Sequence, residues 1–200
     1  CIKLQIMKNI LENALKNSIS YQDYRNLIHQ LLAEEKSTGP IQSEELTNYS
    51  LLNEARMKRL DKTALIRQDL VQVIQALPPQ KWLVLSEAWC GDAAQNIPWL
   101  NKMAELNSGI QVQLILRDEN ADIMDNFMTN GGKSIPKLIA LDKHDQVLFT
   151  WGPRPRLMQE KYLQMKKDGI EYAEVSKAIH SLYAKDKGNA LQEEFYLILK

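Results

Sequence analysis

Lys81–Leu100 reads KWLVLSEAWCGDAAQNIPWL, and this stretch decides the fold. Trp82-Leu83-Val84-Leu85 is a short apolar run of the kind a central strand shows when it is buried on both faces. The chain then reaches Trp89-Cys90-Gly91-Asp92-Ala93 and enters a helical pattern over 92–107, stopped by Asn107-Ser108-Gly109. A cysteine on the first turn after a buried strand meets unpaired backbone N–H groups and the positive end of the helix dipole. That is a place for thiol chemistry.

Downstream, Ile110–Leu116 alternates like a second strand, and 120–130 reads as a helix ending at Gly131-Gly132. Lys137–Leu141 and Gln146–Trp151 read as two short strands, with Lys143-His144-Asp145 as the hairpin turn between them. Gly152-Pro153-Arg154-Pro155 breaks the chain, and helices are expected over 156–186 and 189–199. The order β-α-β-α-β-β-α predicts an α/β fold: a small mixed sheet with helices on both faces.

Upstream, the pattern is helical. Ile10, Leu11, Ala14 and Leu15, then Tyr24, Leu27, Ile28, Leu31 and Leu32, recur at helical spacing, with Ser20 as an N-cap between two helices. Ser37-Thr38-Gly39-Pro40 is a breaker, and Ser43-Glu44-Glu45-Leu46 opens a further helix carrying Leu51, Leu52, Ala55, Met57 and Leu60. Another helix, over 61–77, carries Leu65, Ile66, Leu70, Val73, Ile74 and Leu77, and Pro78-Pro79 ends it. The expected organisation is therefore a helical extension over 1–78, an α/β domain over 79–186 and a C-terminal helix over 187–200.

The composition bounds function. Lys+Arg and Asp+Glu are 25 each in 200 residues, interleaved rather than blocked, so no field draws nucleic acid. No apolar run approaches the ~20 residues of a membrane span, so the expected location is cytoplasmic. The opening CIKLQIMKNILENALKN reads as an amphipathic helix, because lysines interrupt its apolar pattern and no small-residue cleavage site follows. Cys1 as an acylated terminus is the alternative; Met7-Lys8-Asn9 looks like an ordinary gene start. The two cysteines, Cys1 and Cys90, make no CxxC, and His29, His144 and His180 are scattered, so no zinc site or disulfide framework is read.

With these residues in view, the segment resembles the thioredoxin family. Trp89-Cys90-Gly91 is similar to that family's active-site lead-in, and Pro98 stands where its members kink the active-site helix. Ser134-Ile135-Pro136 resembles the loop whose cis-proline faces the cysteine, and Gly152 resembles the glycine after the last strand. The resemblance covers about 82–155, and with Cys-Gly-Asp-Ala at the site it points to the atypical bacterial members. It implies a thioredoxin-like fold, Cys90 as the reactive group, and Trp89, Gly91, Asp92, Ile135 and Pro136 as the surface that meets a substrate. No cofactor is implied.

Two departures narrow the reading. Ala93 occupies the place of the second, resolving cysteine, and Val84 the place of a buried aspartate that moves its proton. Both changes touch the same step, so a dithiol reductase is not expected. One thiol can still attack a disulfide or be oxidised, with release by an outside thiol. Asp92, and Glu87 if it is close, act against a thiolate, so the cysteine is expected to be less acidified than in an efficient oxidant.

The leading expectation is monothiol thiol–disulfide exchange or redox sensing with a disulfide- or thiol-containing protein or a small thiol. The rivals are a non-catalytic module that holds a protein partner and an iron–sulfur site like that of monothiol glutaredoxins. In the last, the Cys-Gly start matches but Asp92-Ala93 does not. Trp99 reads as helix packing, and Arg117-Asp118-Glu119 as a solvated loop or local ion pair. Arg154, Arg156 and Lys133 read as surface charges rather than an anion site.

Overall fold

The computed structural model describes the backbone of residues 2–200 and the side chains of residues 5–200. Cys1, considered above as an acylated terminus, lies outside the described residues. The elements follow as α1 (Ile2–Asn17), β1 (Ile19–Ser20), α2 (Tyr21–Ala33), α3 (Glu44–Thr63), α4 (Gln68–Gln75), β2 (Gln80–Ser86) and α5 (Gly91–Ala104). Then come β3 (Ile110–Leu116), a 3-10 turn (Arg117–Glu119), α6 (Ala121–Asn126), β4 (Lys137–Leu141), β5 (Val147–Trp151), α7 (Arg156–Lys167), α8 (Tyr172–Asp186) and α9 (Asn189–Leu199).

The strands form one five-stranded mixed sheet in the order β1-β3-β2-β4-β5. β2 runs parallel to β3 with Trp82 beside Val112, and antiparallel to β4 with Val84 beside Leu138. Its side chains alternate between two cores. Trp82 and Val84 point to one face, where Tyr24, Met57, Leu70, Ile97 and Phe195 join them from α2, α3, α4, α5 and α9. Leu83 and Leu85 point to the other, against Leu11 and Ala14 of α1 and Ile123 and Met124 of α6. Each such side chain contributes about 1.5–3 kcal/mol when fully buried, so a strand buried on both faces is the anchor of the fold. This is the thioredoxin-like α/β arrangement with helical additions.

Three local expectations are corrected, and one is made finer. The helix read over 61–77 breaks: α3 stops at Thr63, and α4 starts at Gln68. The Arg67 N–H donates instead to Gln192 Oε1 of α9 at 2.8 Å, while Leu65 is left 81% exposed. The opening segment is not wholly helical, because Ile19–Ser20 pairs antiparallel with β3 as an edge strand. Ser20 still caps α2, its Oγ accepting from the Asp23 N–H at 3.0 Å. The helix over 120–130 ends at Asn126, where Thr129 and Gly132 close a tight turn by exchanging N–H···O bonds of 2.9 Å. Over 156–186 the chain makes a hairpin, α7 and α8, which reverses at Gly169 with φ +72.

The segments read as extension, α/β domain and terminal helix contribute to one core, since Ile28 and Ile74 pack in the same cluster as Trp82 and Phe195. The α7–α8 hairpin differs: Met158, Val175, Ile179 and Tyr183 form a smaller cluster of their own. Among the described residues, no helix is long and apolar enough to cross a membrane.

Candidate functional site

β2 delivers the chain to the top of the sheet, and the Cys90 thiol caps α5. Its Sγ accepts from the Ala93 N–H at 3.5 Å and donates to the Ile135 carbonyl at 3.3 Å. The Ile135–Pro136 peptide is cis. Gly152 makes that loop possible: its φ is +115, and a Cβ there would stand 2.1 Å from the Pro136 carbonyl oxygen. Val84 is fully buried in the core and offers no proton-carrying group below the thiol.

The loop before Cys90 is held from below by residues of the N-terminal segment. The Ala88 N–H donates to Thr38 Oγ1 at 2.8 Å, and Asn53 Nδ2 donates to the Ala88 carbonyl at 2.8 Å. Arg56 Nη1 in turn donates to Asn53 Oδ1 at 2.8 Å. Glu87 is fully buried and accepts from the Asp118 N–H at 2.9 Å, tying the 3-10 turn to the strand end. Burial pushes its carboxyl above the ordinary value.

Trp89, Cys90, Gly91, Asp92 and Ile135 line one cavity of about 510 Å³. Pro136, next in the chain, is not part of its wall. The opposite wall was not foreseen from the sequence. Tyr172, Val175, Ser176, Ile179 and His180 of α8 form it, with Tyr162 of α7. His180 comes so close that a Cβ on Gly91 would lie 2.6 Å from its Cε1 and Nε2. Gly91 is thus the residue that lets α8 stand over the thiol. A glycine beside a cysteine was the one hint in the sequence, and it carried no pointer to residue 180.

Asp92 is the polar centre of this contact. Its Oδ2 accepts from Arg154 Nε at 3.0 Å and Nη2 at 2.5 Å, and its Oδ1 accepts from the Tyr183 hydroxyl at 2.8 Å. Asn96 Nδ2 donates to the same Tyr183 oxygen at 2.9 Å. Arg154, read as a surface charge, is instead half-enclosed, with its guanidinium 4.2 Å from the Tyr162 ring centre. Arg156 does stay in solvent, paired with Glu160. Lys133 pairs with Asp125, and Arg117 pairs with Asp118 and lies 4.8 Å from the Trp89 ring centre.

The electrostatics keep the thiol protonated. Burial first, and the Asp92 carboxylate second, push Cys90 up to about 12, against the opposing pull of the Ala93 and Asp92 N–H groups and Arg154. Burial and the neighbouring Arg56 charge push His180 down to about 4, so its imidazole is neutral at pH 7. Gln95 Nε2 donates to His180 Nδ1 at 3.3 Å, which leaves the Nε2–H turned toward Gly91. Among the described residues, no group of three or more His, Cys, Asp or Glu side chains is placed to hold a metal ion.

The chain matches the thioredoxin family over residues 39–168 and belongs to it. The matched span takes in α3, the sheet from β2 to β5 and α7, so the helix that supports Ala88 belongs to the family's pattern. No curated protein sequence matches the chain. A crystal structure of a protein of unknown function from Pseudomonas aeruginosa is similar with a TM-score of 0.55 and 18% identity, covering 76% of this chain and 84% of that one. The crystal structure of an HIV epitope scaffold is similar with a TM-score of 0.53 and 14% identity, covering 90% of this chain and 98% of that one. At these identities the likeness is one of fold.

Proposed function

We propose that this thioredoxin-family chain carries out monothiol thiol–disulfide exchange through Cys90, slowly and from a shielded site. The observation that supports the reading is the placement of the Cys90 thiol at the start of α5, against the Ile135 carbonyl and facing a cavity of about 510 Å³. In the reaction the Cys90 thiolate attacks one sulfur of a disulfide, forming a mixed disulfide and expelling the other sulfur as a thiolate, which takes up a proton. A second thiol from outside then attacks the mixed disulfide and restores Cys90, because Ala93 has no sulfur to do so. Trp89, Gly91, Asp92, Ile135 and Pro136 shape the approach.

The raised thiol value sets the speed. At neutral pH only a small fraction of the group is thiolate, so attack is slow until burial is relieved or the Asp92 charge is offset. That same value favours a second reading, a non-catalytic module that uses the cavity to bind while the thiol only packs. A cluster-binding role is less favoured, since it calls on a thiolate that a second chain can reach.

Peptide-level mass spectrometry after incubation with an aromatic disulfide such as dithiobis(nitrobenzoate) separates the readings and distinguishes Cys90 from Cys1. Exchange predicts a mixed disulfide on Cys90, loss of the adduct on adding a small thiol, and no adduct in Cys90→Ser. An unmodified Cys90 after prolonged incubation at pH 9 refutes exchange and leaves the binding module. Insulin reduction with dithiothreitol is expected to stay near background.

A further inference from the structure

We propose that the α7–α8 hairpin is a lid over Cys90 and that Asp92 is its latch, a positioning residue that controls access to the thiol. The proposal rests on Cys90 being the working group of the site, and it concerns access rather than the exchange step.

Three observations carry it. First, the hairpin packs mainly on itself, with Met158, Val175, Ile179 and Tyr183 in a cluster separate from both faces of the sheet. Such an element opens more readily than one whose apolar face is part of the main core. Second, the polar bonds that join the hairpin and the loop leading into it to α5 converge on the first turns of that helix. Arg154 and Tyr183 both bond Asp92, Asn96 bonds Tyr183, and Gln95 bonds His180. Third, the chain has a pivot at the far end of α8. Lys187 and Gly188 are left-handed, and a Cβ on Gly188 would lie 2.4 Å from Trp99, so that end is pinned while the tip near Gly169 is free of such contact.

The latch and the thiol are coupled because Asp92 is two residues from Cys90. Closed, the hairpin walls the cavity that the sulfur faces, narrowing its access to solvent, and holds a carboxylate beside it. Opened, the sulfur meets water, and Asp92 loses its partners' hold. The charged and titratable groups around the thiol are Tyr24 on α2, Arg56 on α3, Asp92 on α5, Arg154 before α7, Tyr162 on α7, and Tyr172 and His180 on α8; Arg117 and Lys133 also line the cavity. Asp92 is the anion among these that also bonds the hairpin.

The test measures two quantities on the full chain: the pH dependence of Cys90 alkylation by iodoacetamide, read at the peptide level, and amide hydrogen exchange along α7 and α8. Asp92→Asn is expected to raise the alkylation rate at neutral pH at least about tenfold, one unit of midpoint being about tenfold in thiolate. It is also expected to speed exchange in α7 and α8 while β2 and β4 stay protected. Tyr183→Phe keeps both ions and removes one bond, so it is expected to move both readouts the same way by less; it also serves if Asp92→Asn does not fold. Unchanged alkylation in both variants overturns the latch. Faster alkylation with unchanged hairpin exchange in both overturns the lid and leaves a pure charge effect. If the two readouts move together but a disulfide never reacts, the lid stands and the exchange function falls.

Discussion

His180 offers the sharpest pH test of the site. Its imidazole is held neutral, pushed from the ordinary 6.5 down to about 4 by burial and by Arg56. Between those values the unfolded chain binds a proton that the folded chain refuses. The stability tied to this group is therefore complete above pH 6.5 and is lost as the pH falls through about 4. At about 1.4 kcal/mol for each tenfold step, the gap caps the loss at about 3 kcal/mol, and the partial solvent contact of the ring lowers it to about 2 kcal/mol. The perturbation is His180→Gln, which keeps a neutral polar side chain and cannot titrate. Urea unfolding of both proteins at several pH values between about 7 and about 4 reads the effect as a difference, so that carboxylates common to both cancel. The wild type is expected to lose about 2 kcal/mol more than the variant over that range. Parallel stability profiles refute the reasoning, as does an NMR titration that places the His180 midpoint above 6.

Gly152→Ala is expected to cost about 3 kcal/mol or more, because its Cβ would overlap the Pro136 carbonyl at 2.1 Å and φ is +115; a loss under about 1 kcal/mol in urea refutes the close approach. Asn53→Ala leaves the Ala88 carbonyl without its side-chain donor and is expected to destabilise by about 1–3 kcal/mol, with faster Cys90 alkylation, since the loop before the thiol loosens. Unchanged alkylation would separate α3 from the site. Gly91→Ala is expected to displace His180, and in the double variant with His180→Ala the two losses should be clearly less than additive. Additive losses would show that the two residues do not touch.

How much of this was written in the sequence depends on what each residue contacts. The strands and α5 were legible because their burial is written locally: Val84 and Leu85 stand opposite apolar residues in the neighbouring parallel strand, and the unbroken apolar run of β2 reports a strand buried on both faces. β1 was hidden because two residues cannot show a period. The break after α3 was hidden because Leu65 and Ile66 continue the apolar spacing, while the deciding bond runs from Arg67 to Gln192, 125 residues away. At the site, Cys90, Ile135 and Pro136 come from segments whose local patterns are strong. Arg154, His180 and Tyr183 come from a loop and a helix whose faces looked like ordinary amphipathic surfaces. Nothing local distinguishes a tyrosine that bonds Asp92 from one that packs.

The missing second thiol and the hairpin over the first belong to one physical situation. A dithiol site must let a disulfide-bearing segment reach one sulfur and then let the second sulfur turn outward to attack it. Here Ala93 is 2% exposed and packed in the main core, Val84 beneath is fully buried, and His180 occupies the space over Gly91. A sulfur added at Ala93 would therefore face the core, and Val84 beneath offers no acid or base to move its proton. Ala93→Cys is accordingly expected to leave insulin reduction near background, even where the introduced sulfur bonds slowly to that of Cys90. Thioredoxin-like turnover in that variant would mean that the closed arrangement around Asp92 opens far more readily than its bonds to Arg154 and Tyr183 imply.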